Sequence, residues 1–212
     1  MIQNIGIVGS GQMGAGIAHV AALADRNVVL LDVNEAVLNK ALEAIERNIQ
    51  RQVSRGKLED GAAERAFKRI TITTDYSDFN VADLVIEAAT ENEGIKRKIF
   101  ETLVPNLSKE ALIASNTSSI SITRLASTTD RPGKFIGMHF FNPVPIMQLV
   151  ELIRGIATDD ATFTEIKNLS LELGKIVAEA QDYPGFIVNL SLIHISEPTR
   201  PLYISYAVFC LK

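Results

Sequence analysis

Gly9-Ser10-Gly11-Gln12-Met13-Gly14 stands between a short apolar run, Ile5-Gly6-Ile7-Val8, and a helical stretch from Ala15 to Ala24. The run reads as a buried strand, so the glycines occupy a strand-to-helix turn. That context gives a Gly-x-Gly-x-x-Gly spacing its meaning. The first glycine permits the tight turn, the second lets a pyrophosphate approach the backbone, and the third lets helix and strand pack closely. N–H groups at the helix start then face the phosphates. Val28 to Leu31 reads as a second strand and ends on Asp32. A carboxylate there accepts hydrogen bonds from the adenine-ribose hydroxyls and repels a 2′-phosphate, which points to NAD rather than NADP. Gly9, Gly11, Gln12, Met13, Gly14 and Asp32 are the expected cofactor contacts of this unit.

The alternation continues beyond this first βαβ unit. An amphipathic helix is expected from Glu35 to Arg55, with Val37, Leu38, Ala41, Ala44, Ile45 and Ile49 on its apolar face. Further strands are expected at Ile70 to Thr73, Leu84 to Glu87, Leu112 to Ser115 and Phe135 to Phe140, and helices near Gly94 to Val104 and Ile122 to Ala126. Met147 to Ile153 reads as another strand, Asp160 to Leu173 as a helix ending at Gly174, and Lys175 to Ala178 as a last strand. Asp182-Tyr183-Pro184-Gly185 marks a turn into a new element. Strands alternating with helices predict an α/β fold with a doubly wound, mostly parallel sheet of the Rossmann type. No internal repeat is visible.

Several function classes fall away on composition. Lys+Arg total 21 against 25 Asp+Glu, scattered along the chain, so there is no basic stripe for nucleic acid. One Cys cannot form an internal disulfide, and no apolar run approaches the roughly eighteen residues of a membrane helix. A reducing, cytoplasmic setting is expected, with no membrane partner and no metal. Ile5 to Ala24 imitates a secretory signal, but Met1 to Asn4 carries no Lys or Arg and four glycines interrupt the run.

The most informative stretch is Gly137-Met138-His139-Phe140-Phe141-Asn142-Pro143-Val144-Pro145, followed by Met147-Gln148-Leu149-Val150-Glu151. Together with Ser115-Asn116-Thr117-Ser118-Ser119, the Glu87 to Asn92 segment and Asp182 to Asn189, it resembles the NAD-binding domain of the 3-hydroxyacyl-CoA dehydrogenases over residues 1 to 189. The resemblance implies reversible hydride transfer between NAD and the 3-hydroxyl of a short-chain acyl-CoA. It implies His139 as general base with Glu151 as its partner, and Ser118 and Asn189 hydrogen-bonded to the substrate oxygen or positioning the histidine. It also sets Glu91, Lys96, Ser118 and Asn142 against the cofactor's ribose and nicotinamide, with Lys96 able to reach the CoA thioester side. A related β-hydroxyacid dehydrogenase and a non-catalytic dinucleotide-binding module are the alternatives.

The chemistry agrees with this independently. Oxidation of a secondary alcohol needs a base for the hydroxyl proton, and histidine titrates in the right range. His19, within a helix of Ala, Ile and Val, reads as a packed residue. His139 at a strand end could equally be a hydrogen-bonded core histidine, and Glu151 an exposed strand-end charge. A turn between the two strands would instead bring carboxylate to imidazole, orienting the ring and stabilising the imidazolium. Arg51, Arg55 and Lys57 are candidates for the CoA phosphates, or simply a solvated face.

The resemblance sets residues 1 to 185 as the NAD-binding domain and 186 to 189 as the start of an all-helical domain that is then missing. That domain closes the cleft in family members and makes full-length forms homo-oligomers. Leu190 to Lys212 instead resembles a translated sequencing-library adapter, with Pro201, Leu202 and Tyr203 filling an index-sized gap. Weak NAD binding and poor turnover are therefore expected of the chain as it stands.

Overall fold

A computed structural model describes residues 2–183 and 185–187. Eight strands form one sheet in the order β3-β2-β1-β4-β5-β6-β7-β8. They are β1 (Asn4–Val8), β2 (Asn27–Leu31), β3 (Ile70–Thr73), β4 (Leu84–Glu87), β5 (Leu112–Ser115), β6 (Phe135–Phe140), β7 (Leu149–Arg154) and β8 (Ile176–Gln181). The helices are α1 (Gln12–Leu23), α2 (Glu35–Ser54), α3 (Ala62–Phe67), α4 (Glu93–Leu103), α5 (Ile122–Ala126) and α6 (Asp160–Glu172). This is the doubly wound Rossmann-type sheet expected.

The central strands carry nearly unbroken apolar runs because both of their faces are buried. Ile5 and Ile7 of β1, Leu84 and Ile86 of β4, and Leu112 and Ala114 of β5 point into one core, shared with Ile17, Leu38, Ile45 and Ile166. Their neighbours Val8, Val85 and Ile113 point into the other, with Phe100, Leu103, Leu125 and Phe135. Alternation of side chains along a strand thus feeds two helical layers.

Strand direction changes at one point. β1 to β6 are mutually parallel, whereas β7 runs antiparallel to β6 and β8 parallel to β7. No helix lies between β6 and β7, so the chain reverses directly through residues 141–148. Val144 in that turn packs on Gly16 of α1 so closely that a Cβ on Gly16 would lie 2.9 Å from the valine Cβ.

Several details differ from the expected pattern: α1 already begins at Gln12, inside the glycine segment, and β8 leaves Lys175 outside and runs on to Gln181, three residues past the expected end at Ala178. Val37 is 41% exposed, so the buried stripe of α2 is Leu38, Ala41, Ile45 and Ile49. The short α3 buries only Ala62 and Ala66, too little apolar periodicity to be seen in the sequence. Among the described residues no helix is long and apolar enough to cross a membrane. Pro184, Val188, Asn189 and Leu190 to Lys212 lie outside the described residues, and so do the expectations attached to Asn189, to the end of the 186–189 segment and to the adapter-like tail.

Candidate active site

The loops after β1, β2, β4 and β5 meet at the carboxyl ends of the parallel strands, the crevice where doubly wound sheets bind ligands. Gly9 has φ +97°, donates its N–H to Leu31 O at 2.8 Å, and passes so near β4's exit that an added Cβ would lie 2.5 Å from Ala89 Cα. Gly14 faces back onto the loop, and a Cβ there would sit 1.8 Å from Gly9 O. Gly11 differs from both, because nothing lies within 4 Å of its Cβ position. The middle glycine therefore borders open space, and no side chain caps the start of α1, whose first N–H groups face the same way. Gln12 is exposed beside it, while Met13 is half-buried against the core.

Asp32 stands where the sequence expects it. Its Oδ2 accepts the Ser10 N–H at 2.7 Å and the Ser10 hydroxyl at 2.8 Å, and Oδ1 accepts the Val33 N–H at 2.8 Å. The carboxylate is held against the glycine loop. Left-handed Gly9, open Gly11, the uncapped helix start and this oriented acid together fit a dinucleotide.

His139 and Glu151 are directly opposite one another in the β6–β7 ladder. His139 Nδ1 lies 2.7 Å from Glu151 Oε2, and Glu151 is wholly buried, which overturns the reading of it as an exposed strand-end charge. The Ile187 N–H donates to Oε1 at 3.1 Å. A carboxylate accepts, so Nδ1 carries the proton and Nε2 is the nitrogen that can accept one. Phe141 and Phe186 flank the ring, with centroids 4.5 and 6.0 Å away. Asn116 Oδ1 accepts the Phe140 N–H at 2.8 Å, tying the end of β5 to that of β6.

A second charged group lies between β4, α4 and β5. Glu87 and Lys96 are both fully buried, with Lys96 Nζ 2.5 Å from Glu87 Oε2. Glu87 also accepts the Ser115 hydroxyl at 2.8 Å and the Ala89 N–H at 2.9 Å. Lys96, expected against the cofactor, has no exposed surface and so does not itself reach the crevice; its ammonium lies 4.0 Å from Glu91 Oε2. Glu91 Oε1 accepts the Ser118 N–H at 2.6 Å, the Ser118 hydroxyl at 2.7 Å and the Thr117 hydroxyl at 2.8 Å. Partial burial alone would raise the Glu91 carboxyl, but these bonds and the Lys96 charge hold it below the usual carboxylate range. Sequence reasoning gave Glu87 no role; its one signal is an acid closing the apolar run Leu-Val-Ile-Glu.

Arg51, Arg55 and Lys57 share a cavity of about 430 Å³ with Asn48, Gln52, Pro143, Pro145 and Ile146. The basic cluster is therefore set across from the turn that follows His139. Asn142, exposed in that turn, lines a smaller adjoining cavity with Gln12, Asn48 and His19. His19 is buried, 3.1 Å from the Gln52 side-chain nitrogen, and burial together with the Lys175 charge lowers its pKa to about 4. It is the packed helix residue expected, and burial holds it neutral.

A doubly wound sheet with this glycine loop and an imidazole–carboxylate pair beside it defines a dinucleotide-binding domain of a dehydrogenase. The family described as 3-hydroxyacyl-CoA dehydrogenase, NAD binding domain, matches residues 4–183, and the chain belongs to it. Its enzyme class is that of the NAD-dependent 3-hydroxyacyl-CoA dehydrogenases, and its cofactor is NAD. A 3-hydroxybutyryl-CoA dehydrogenase of Bradyrhizobium diazoefficiens is 53% identical over 204 residues, which cover 96% of this chain and 70% of that protein. One from Mycobacterium tuberculosis is 42% identical over 194 residues, covering 91% and 68%. The crystal structure of an (S)-3-hydroxybutyryl-CoA dehydrogenase from Ralstonia eutropha superposes with a TM-score of 0.90 at 45% identity, covering 92% of this chain and 69% of that one.

Proposed function

We propose that the protein interconverts a short-chain 3-hydroxyacyl-CoA and its 3-oxo form, with 3-hydroxybutyryl-CoA and acetoacetyl-CoA as the substrate pair, in cytoplasmic fatty acid or butanoate metabolism. The observation that carries this is the buried His139–Glu151 pair at the rim of the dinucleotide crevice. A module that only bound dinucleotide would have no use for it. The names of the similar proteins support the four-carbon acyl chain.

In the oxidative direction Nε2 of His139 takes the 3-hydroxyl proton as the C3–H bond breaks and the carbonyl forms. NAD, when bound, supplies the acceptor for the hydride leaving C3. Glu151 holds the ring through Nδ1 and stabilises the imidazolium that results. Ser118 and Asn189 hydrogen-bond the substrate oxygen or position His139. Glu91 and Asn142 serve the ribose and nicotinamide side, with Lys96 acting behind Glu91. Gly9, Gly11, Gln12, Met13 and Gly14 receive the pyrophosphate, and Asp32 the adenine ribose. Arg51, Arg55 and Lys57 take the phosphates of CoA. Full-length forms assemble as homo-oligomers.

The test is His139→Gln, compared with the parent for NADH oxidation by acetoacetyl-CoA, with protein in excess so that slow turnover is still seen. The expected result is a loss of about 10²- to 10⁴-fold in rate, with NAD affinity kept. Equal rates in the two proteins would overturn the assignment.

A further inference from the structure

Lys175 is not accounted for by the chemistry above. It precedes β8 and is only 7% exposed, yet no carboxylate lies within ion-pair distance of it among the described residues. Its ammonium donates instead to two main-chain oxygens of the β6–β7 turn, Val144 O at 2.6 Å and Met147 O at 2.9 Å. The next residue extends the same seam, with the Ile176 N–H on Gln148 O at 2.8 Å. Within the turn, the Ile146 and Met147 N–H groups both go to Pro143 O at 2.9 Å. The Val144 and Met147 oxygens thus face inward and are held by one side chain. Burial keeps the ammonium below the usual lysine pKa, the mark of a charge poorly repaid for lost hydration.

The turn so anchored lines the cavity read above as the coenzyme A site. It begins at Asn142, three residues past the base; Val144 seats on α1; Pro143, Pro145 and Ile146 form one wall of the cavity whose other wall carries Arg51, Arg55 and Lys57. Ile146 and Met147 are themselves 73% and 39% exposed, so apolar burial does little to place them. We propose that Lys175 is a positioning residue of this site, fixing the 143–147 turn so that the cavity between the turn and α2 keeps the shape that receives coenzyme A. The proposal rests on the reading of that cavity as the acyl-CoA site.

The experiment compares the parent with Lys175→Met, which keeps length and loses all donors, and Lys175→Gln, which keeps an N–H donor. Affinities for coenzyme A and NAD are measured by calorimetry, amide exchange is followed over residues 142–148, and stability is measured in urea. If the turn of Lys175→Met holds its binding arrangement only about a fifth of the time, its affinity for coenzyme A falls about fivefold. Exchange at Val144, Ile146 and Met147 should rise about tenfold, with partial recovery in Lys175→Gln. NAD affinity should stay within about twofold, because Gly9 to Gly14 and Asp32 lie on other elements. Unchanged coenzyme A affinity in Lys175→Met, whether or not stability falls, would overturn the role of Lys175 and leave a packing contact. A parent that binds no coenzyme A would overturn the reading of the cavity itself.

Discussion

Neutral His19 makes the stability of this domain depend on pH in a window set by one side chain. Folding lowers its pKa from 6.5 to about 4, first by burial and then through the Lys175 charge. The unfolded chain therefore holds a proton between about pH 6.5 and about pH 4 that the folded chain refuses, and stability rises with pH across that window. The contribution is complete above about pH 6.5, is lost as pH falls toward 4, and has no further slope once both states are protonated. A shift of about 2.5 units corresponds to about 3 kcal/mol in all, of which about 2 kcal/mol is gone by pH 5. His19→Gln never titrates and keeps a hydrogen-bonding group for Gln52. Urea unfolding of both proteins at about pH 7 and about pH 5 cancels the carboxylates they share, leaving a difference of about 2 kcal/mol between the two pH dependences. Parallel stability profiles for parent and variant would refute a buried, neutral His19.

Three other outcomes are expected. Lys96→Met leaves Glu87 buried without its counter-charge and should cost about 3–5 kcal/mol in urea unfolding, whereas Glu87→Leu combined with Lys96→Met should recover most of that loss. Gly14→Ala must push the helix start away from Gly9 O, so thermal unfolding should show a loss of about 1–3 kcal/mol and NAD titration a much weakened site; native affinity would mean that the close approach is not needed. Asp32→Ser should lower NAD affinity by about tenfold or more through lost hydrogen bonds to a charged acceptor, and should narrow the gap between NAD and NADP. An unaltered preference between the two would remove Asp32 from the ribose.

How far the chain could be read depended on how local each feature was. A strand's apolar run, a helix's stripe and a glycine required at positive φ are properties of a few consecutive residues, so β1, α1, Asp32 and the central strands could be located from order alone. Gly9 illustrates this: its role needs only a turn between two recognisable elements, and its φ of +97° is what that turn demands. α3 escaped because two buried alanines leave no periodic signal.

The chemistry depended on contacts between distant residues. Whether Glu151 was a surface charge or the partner of His139 turned on the direction and register of β7, and an antiparallel return placed the two residues opposite each other. A shift of one residue would have put the carboxylate on the other face of the sheet. Lys96 reads as a cofactor contact, but the fold closes over it and pairs it with Glu87, since a fully buried charge needs a counter-charge at hand. Arg51, Arg55 and Lys57 became one wall of a cavity only when the turn after β6 folded against α2. The run of residues was enough to name a dinucleotide-binding sheet and to place Asp32 at the end of its second strand, because those follow from backbone geometry repeated every two or four positions. The His139 imidazole, its buried carboxylate partner and the groove beside them required long-range packing, because hydrogen bonds and burial between elements depend on strand order and register that no short stretch of chain contains.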